Sequence, residues 1–535
     1  MNNKLQRILT LLLAAAMLLS LGACAANPNG SGTEVSQTAM PDPVDDNYRS
    51  FYQIFLGSYS DSNNDGIGDL RGVINRFDYL NDGNMLSEES LGVQGIWLSP
   101  IFASPSYHKY DASDYYRVDP LFGTEEDLKE LAALCEERNV KLILDLVLNH
   151  TSSRHEWFLQ FKKARAEGDT QNPYYNYYSC VAETDKTVGI VYQQIAGTDC
   201  WYECNFSGDM PELNFDNPEV RQAMLDVAKY YLDLGVDGFR FDAVKYIYYN
   251  DTAKSVAFWE WYMEELRKIN PEIYCVGECW SGDLDVLEYY SAMNCFNFSM
   301  AQVDGVIAKT AKGASISKYT NYLQTFQTMM LEKNPEGMVM PFLSNHDMDR
   351  IAGALVKDDN IRMAANLYLL CSGSPTIYYG EEIGIRGSRG DDKTDANRRL
   401  AMLWGDDDTI RNPEGATYPE KNQIQTTVAD QMADENSLCR YYCRLLTLRH
   451  RYPAIPRGLY TALDCGEEKF GGFLITYGEE TLGLLHNTST EEITYDLSSL
   501  EGCSFSELCD YIGVGNAALE GTVLTVGPQT SVIVR

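Results

Sequence analysis

Positive charge is in short supply in this chain: 43 Lys and Arg stand against 77 Asp and Glu, a formal net charge of -34. That balance excludes nucleic acid and anionic membrane surfaces as partners and leaves neutral ligands unopposed. The leading apolar run, Ile8 to Leu21 behind Lys4 and Arg7, is too short to span a bilayer and reads as the core of a signal peptide. Histidine is scarce, six in 535 residues, so the place of each one carries weight. Cysteine is not scarce, yet no bridge is assigned. Cys200 with Cys204, or Cys503 with Cys509, are spaced to pair, whereas an anaerobic habitat leaves them as small buried hydrophobes.

Leu21-Gly22-Ala23-Cys24 resembles a bacterial lipoprotein cleavage box, which makes Cys24 the lipidated first residue of an exported, surface-anchored protein. The alternative is ordinary signal cleavage nearby. Residues 1–24 are then the leader and 25–47 a flexible tether, poor in large apolar residues. From residue 50 onward strands and helices alternate, the pattern of a parallel sheet with covering helices. Phe51 to Phe55, Gly95 to Leu98, Lys141 to Val147, Val236 to Phe241, Ile273 to Gly277, Cys295 to Phe298, Met338 to Leu343 and Thr376 to Tyr379 read as eight strands. Eight such units imply an α/β fold, a closed (β/α)8 TIM barrel.

The connection Thr151 to Asn217 is too long for a plain loop and reads as a small inserted domain over the active-site face, after the third strand. Beyond the helix Ser437 to His450, short β-rich runs such as Gly472 to Tyr477, Leu482 to His486 and Val523 to Val534 suggest a C-terminal antiparallel β-sandwich domain. The expected division is 48–150 and 218–452 for the barrel, 151–217 for the insertion and 453–535 for the terminal domain.

Four strand-end segments carry the chemistry: Asp145 to His150, Gly238 to Tyr246, Gly277 to Trp280 and Phe342 to Asp347. They converge at the end of a barrel where such folds place active sites. Gly238-Phe239-Arg240-Phe241-Asp242-Ala243, Gly277-Glu278-Cys279-Trp280 and Phe342-Leu343-Ser344-Asn345-His346-Asp347 resemble the alpha-amylase family of retaining glycoside hydrolases, from about Tyr48 to the C-terminus. The resemblance implies Asp242 as nucleophile, kept ionised by Arg240, and Glu278 as general acid and base with a raised pKa. It implies Asp347 and His346 holding the sugar as its ring flattens, with Tyr110 stacking on that sugar and His108 and His150 as further contacts. Lys245 and Arg399 are also expected at the substrate.

Asp61-Ser62-Asn63-Asn64-Asp65-Gly66-Ile67-Gly68-Asp69 reads as a calcium loop, with oxygens from Asp61, Asn63, Asp65, the Ile67 carbonyl and Asp69. The twelfth position is Gly72 and not Glu, which excludes an EF-hand. The alternative is a metal-free Asp- and Asn-rich turn.

Some positions depart from the family pattern. Lys245-Tyr246 stands for Lys-His, Glu212 falls between the segment's acidic and basic versions, and the stretch from Arg398 to Met402 lacks its proline. Tyr107 stands where exo-acting α-glucosidase relatives carry an acid, which favours endo cleavage. The implied function is hydrolysis of internal α-1,4 bonds of starch, glycogen-like glucans and maltooligosaccharides. Neopullulanase or cyclomaltodextrinase and oligo-1,6-glucosidase or α-glucosidase activity are the alternatives, and a non-catalytic glycan-binding lipoprotein is the alternative of another class. The implied partners are α-glucans, with a membrane reached only through the lipid anchor.

Overall fold

The computed structural model of the chain describes residues 46–535 other than 406. The leader 1–24, its Cys24 and the tether up to residue 45 lie outside the described residues. Among the described residues no helix is long and apolar enough to cross a membrane.

Seven parallel strands form one sheet in the spatial order sixth, fifth, fourth, third, second, first, eighth. In chain order they are Phe51–Ile54, Gly95–Leu98, Lys141–Leu146, Gly238–Phe241, Tyr274–Gly277, Asn294–Cys295 and Thr376–Tyr378. Almost every position in them is buried, as expected of strands covered on both faces. Two expectations need correction here. Met338 to Leu343 is not a continuous strand: it makes only the isolated parallel bridges Phe296 to Met340 and Phe342 to Thr376. Pro341 supplies no N–H in the middle of that run. The segment's carbonyls still accept from both sides, Met340 O from Asn297 N (3.0 Å) and Pro341 O from Thr376 N (3.0 Å), so the ring closes without a full ladder. The sixth strand likewise shrinks from Cys295–Phe298 to Asn294–Cys295.

Side chains alternate between the two faces of each strand. Phe51, Trp97, Ile143, Tyr274, Phe296, Met338 and Met340 point inward and form a separate apolar core, with Trp97 stacked on Phe296 at 5.3 Å and Phe51 against Tyr274 at 4.6 Å. That plug fills the barrel. Two residues further along the first and third strands and on the fourth, the inward positions are polar: Gln53, Asp145 and Arg240, all fully buried.

The outer helices bury the opposite face. Glu125–Glu137 starts from a capping box between Thr124 and Asp127 and buries Leu128, Leu131, Ala132 and Cys135, the helical spacing visible in the sequence. Between the third and fourth strands lie the helix Glu156–Glu167 and a three-stranded sheet. The bridge between His150 and Glu212 ties this segment's stem to the third strand's end. At the C-terminus, a five-stranded and a three-stranded antiparallel sheet enclose their own core of Phe470, Leu485, Phe505, Leu524 and Val532. The expected run Val523 to Val534 breaks at Gly527-Pro528 into Val523–Val526 and Thr530–Val534, one on each sheet. All the described cysteines are free thiols, including the four considered for pairing.

Candidate active site

Arg240 organises the barrel mouth. Its side chain is 0% exposed and Nη1 donates to Asp145 Oδ1 (2.8 Å) and Asp242 Oδ1 (2.7 Å), while Nη2 lies 3.0 Å from Glu278 Oε1. One guanidinium therefore bridges three carboxyls from three adjacent strands. Ala243, directly after Asp242, has φ 49° and ψ 45°, a left-handed conformation that costs a non-glycine residue about 1 kcal/mol. The turn aims its N–H at Glu278 Oε2, 3.1 Å away.

Burial pushes the Glu278 carboxyl upward against Arg240, aided by the charges of Asp242 and Asp347, the direction a general acid needs. For Asp242 the expectation was that Arg240 holds it ionised. The net direction is instead upward: burial outweighs Arg240, and Asp347 adds to burial. Asp145, buried beside Asp242, is pushed up to about 7 despite Arg240. Three acids sharing one cation cannot all ionise cheaply, and all three are pushed in the same direction.

Asp347 behaves oppositely. Burial raises its carboxyl, but His346 Nε2 at 3.1 Å and Arg399 Nη2 at 2.7 Å outweigh that and hold it well below the usual carboxylate range. Arg399 also donates to His346 O (3.0 Å) and Tyr107 Oη (2.8 Å), so it reaches the site through Asp347 despite the missing proline. Tyr110 donates to Asp145 Oδ2 (2.8 Å) and lies 2.7 Å from His346 Nε2.

Asp242, Glu278, Asp347, Tyr107, Tyr110 and Arg399 line a cavity of about 840 Å³, together with His108, His150, Lys245 and three further aromatic side chains, Phe206, Tyr246 and Trp280, while Arg240, Asp145 and His346 are buried outside that lining. His150 Nε2 is buried without a partner. Burial pushes both His108 and His150 down to about 4, so both rings are neutral at pH 7. Lys245 Nζ donates to Trp280 O (2.7 Å). Trp280 is 41% exposed and stacks on Phe298 at 5.0 Å, and Tyr246 stacks on Tyr249 at 4.6 Å beside Phe206. All ten expected catalytic and substrate residues thus come together. Sequence reasoning did not single out Gln53, Phe206 or Trp280. Trp280 alone had a signal, its place two residues after Glu278.

In the loop after the first strand, Asp61 Oδ2 accepts from Gly66 N (2.7 Å), and Asn63 and Asp65 accept from the amides two residues on. Gly66 has φ +93°, and a Cβ there would meet Arg411 at 2.8 Å, so only glycine fits this turn. Asp69 Oδ1 caps the helix Leu70–Asn75 by accepting from Gly72 N (2.6 Å). The donors are all oxygens, as a hard cation requires. Among the described residues no three His, Cys, Asp or Glu side chains cluster to hold a metal, so a cation here would need Asn63 and the Ile67 carbonyl as well as the carboxylates. Glu212, which gave no subfamily signal, is buried and pushed up to about 7, with Oε1 accepting from Asn205.

The alpha amylase catalytic-domain family matches residues 53–458. Alpha-amylase 3 of Dictyoglomus thermophilum is 33% identical over 493 residues, covering 91% of this chain and 92% of that protein. An oligo-1,6-glucosidase of Bacillus cereus is 29% identical over 567 residues, covering 90% and 98%. Among solved structures, Eubacterium rectale Amy13B superposes with a TM-score of 0.84 at 32% identity over 92% of this chain and 96% of that one. An alpha-amylase from H. orenii gives 0.80 at 31% identity over 91% and 99%.

Proposed function

The chain belongs to the alpha-amylase family and is a glycosidase acting on α-glucans, and from that footing we propose that it cleaves internal α-1,4 bonds by double displacement. Glu278 gives its proton to the departing glycosidic oxygen while Asp242 attacks the anomeric carbon. Glu278, now ionised, then takes a proton from water as that water displaces Asp242, and the site returns to its starting state. Asp347 stays ionised and holds sugar hydroxyls, favouring the flattened ring.

The observation that carries this reading is the single guanidinium bridging Asp242 and Glu278. It favours the roughly 5 to 5.5 Å carboxyl spacing of retaining enzymes over the wider spacing that admits a water. The raised direction at Asp242 belongs to the unliganded site, where Arg240 opposes burial. A proton resident on Glu278 leaves Asp242 as the anion on Arg240.

Endo action is supported by the cavity of about 840 Å³ with its aromatic side chains and by Tyr107, whose hydroxyl is taken by Arg399. In the same reading Asp61, Asn63, Asp65, Ile67 and Asp69 hold a structural calcium ion, which when bound would stiffen the first loop and add no chemistry to the bond being broken. Cys24 carries a lipid that anchors the exported enzyme at the cell surface. The time course of products from soluble starch, pullulan and maltoheptaose tests the activity. Mid-length maltooligosaccharides appearing first from starch support endo cleavage. Glucose released singly, or panose from pullulan, moves the assignment to an exo-glucosidase, as the oligo-1,6-glucosidase relative would suggest, or to a neopullulanase.

A further inference from the structure

Gln53 is an amide at the centre of an apolar strand. It lies in Phe51–Ile54 at 0% exposure, where a polar side chain costs free energy unless its partners are met. Its Nε2 is 2.8 Å from His346 Nδ1, and its Oε1 has no partner. The buried orphan oxygen is the informative part. Turning the amide over would bring Oε1 to His346 Nδ1, and that contact requires a proton on Nδ1.

The far side of the ring fixes the other nitrogen. Tyr110 Oη lies 2.8 Å from Asp145 Oδ2, an oxygen also approached by Trp97 Nε1 at 3.3 Å, while Asp145 Oδ1 takes Arg240. The Tyr110 proton therefore goes to Asp145, and Tyr110 Oη is left to accept from His346 Nε2, 2.7 Å away. Asp347 Oδ2, 3.1 Å from the same nitrogen, is a second acceptor. Nε2 carries a proton on both counts.

With Nε2 protonated, the orientation of Gln53 decides the charge of the ring. Nε2 of Gln53 facing Nδ1 gives a neutral imidazole; Oε1 facing it would give an imidazolium. The charged and titratable groups facing the ring are Asp347, Arg399, Arg240, Tyr110 and Asp145. The two guanidiniums and burial oppose a cation, Asp347 favours one, and the net direction for His346 is downward, burial being the largest cause.

We infer that Gln53 is a positioning residue that holds His346 as the neutral Nε2–H tautomer, so that its one N–H is shared between Tyr110 and Asp347. An imidazolium in its place would neutralise Asp347, and the favourable interaction of Asp347 with the positive charge that develops on the sugar would weaken. The role of Asp347 in this argument rests on the double-displacement reading. The tautomer itself does not.

The test separates the two. With only six histidines in the chain, ¹⁵N-histidine labelling gives a spectrum in which His346 is assigned by its loss in His346→Gln. At neutral pH the wild-type ring is expected to show an unprotonated Nδ1 and a protonated Nε2. In Gln53→Glu, with a carboxylate in the same space, both nitrogens become protonated and kcat on maltoheptaose falls at least tenfold with KM changed less than threefold. Gln53→Met, which keeps the length and loses the donor, gives mixed tautomers and a smaller fall.

A wild-type ring protonated on Nδ1 overturns the inference, and this measurement holds even if a Gln53 variant does not fold. A Gln53→Glu spectrum unchanged from wild type also overturns it. The expected spectra together with unchanged kcat would leave the tautomer standing and count against the role given to Asp347.

Discussion

Replacing Arg240 by leucine removes the cation from a site where three carboxyls already hold raised pKa values against it. At an effective dielectric of about 20 and a charge separation of about 4 Å, each pair is worth about 4 kcal/mol, or about three pKa units. Arg240 is fully buried, so screening by solvent does little to reduce this. The acid limb of kcat/KM should move to higher pH by one to three units, and at any pH below the parent's limb the loss is tenfold for each unit moved. The sign for stability follows from proton linkage. Carboxyls with folded pKa values above the unfolded value of about 4 keep protons that the unfolded chain releases, so stability falls as pH rises from about 4 through the folded values. Loss of Arg240 pushes those values further up, and its deficit relative to the parent should be small at pH 5 and large at pH 8. Stripping one partner from a buried pair costs about 3 to 5 kcal/mol. Thermal melts of both proteins at the two pH values, with pH-rate profiles on maltoheptaose, measure both effects. A Tm deficit equal at pH 5 and pH 8, or an acid limb that stays in place, would refute the reasoning, because either means Arg240 does not set the ionisation of the acids it touches.

Glu278→Gln should lower kcat on maltoheptaose by about 10² to 10⁴, the range for a positioned general acid. Turnover of an α-glucosyl fluoride, whose leaving group needs little proton assistance, should return when azide replaces water; no rescue would point away from Glu278 as acid and base. Chelation should lower Tm, by an amount corresponding to about 2.7 kcal/mol when calcium had been present at a hundred times its Kd. In Asp65→Ala that dependence should vanish, whereas a Tm indifferent to chelator in the parent would return the loop to a metal-free turn. Trp280→Ala, removing an exposed ring stacked on Phe298, should cost about 0.5 to 1.5 kcal/mol in kcat/KM on maltoheptaose and much less on the fluoride, and an equal loss on both would make Trp280 structural.

The barrel was legible because a strand buried on both faces leaves an unbroken apolar run, and because the acids stand where those runs stop. Phe51–Ile54, Gly95–Leu98 and Gly238–Phe241 were visible for the first reason, Asp242, Glu278 and Asp347 for the second. Met338 to Leu343 has the same composition, yet with Pro341 inside it the run holds its neighbours by isolated bridges and not by a ladder, a distinction that apolarity does not record. Arg240 was legible as a neighbour of Asp242 but not as the shared partner of Asp145 and Glu278, since two of its three contacts come from other strands. The upward push on Asp242 was not legible for the same reason: burial and a second carboxylate are properties of the assembled mouth, not of the segment. Gln53 lies furthest from sequence reach. A lone amide in an apolar run gives no sign of which way it faces, and its meaning depends on a histidine 293 positions away. Strand ends therefore show where the reacting acids stand. The proton positions that make those acids differ from one another are set by contacts across the barrel.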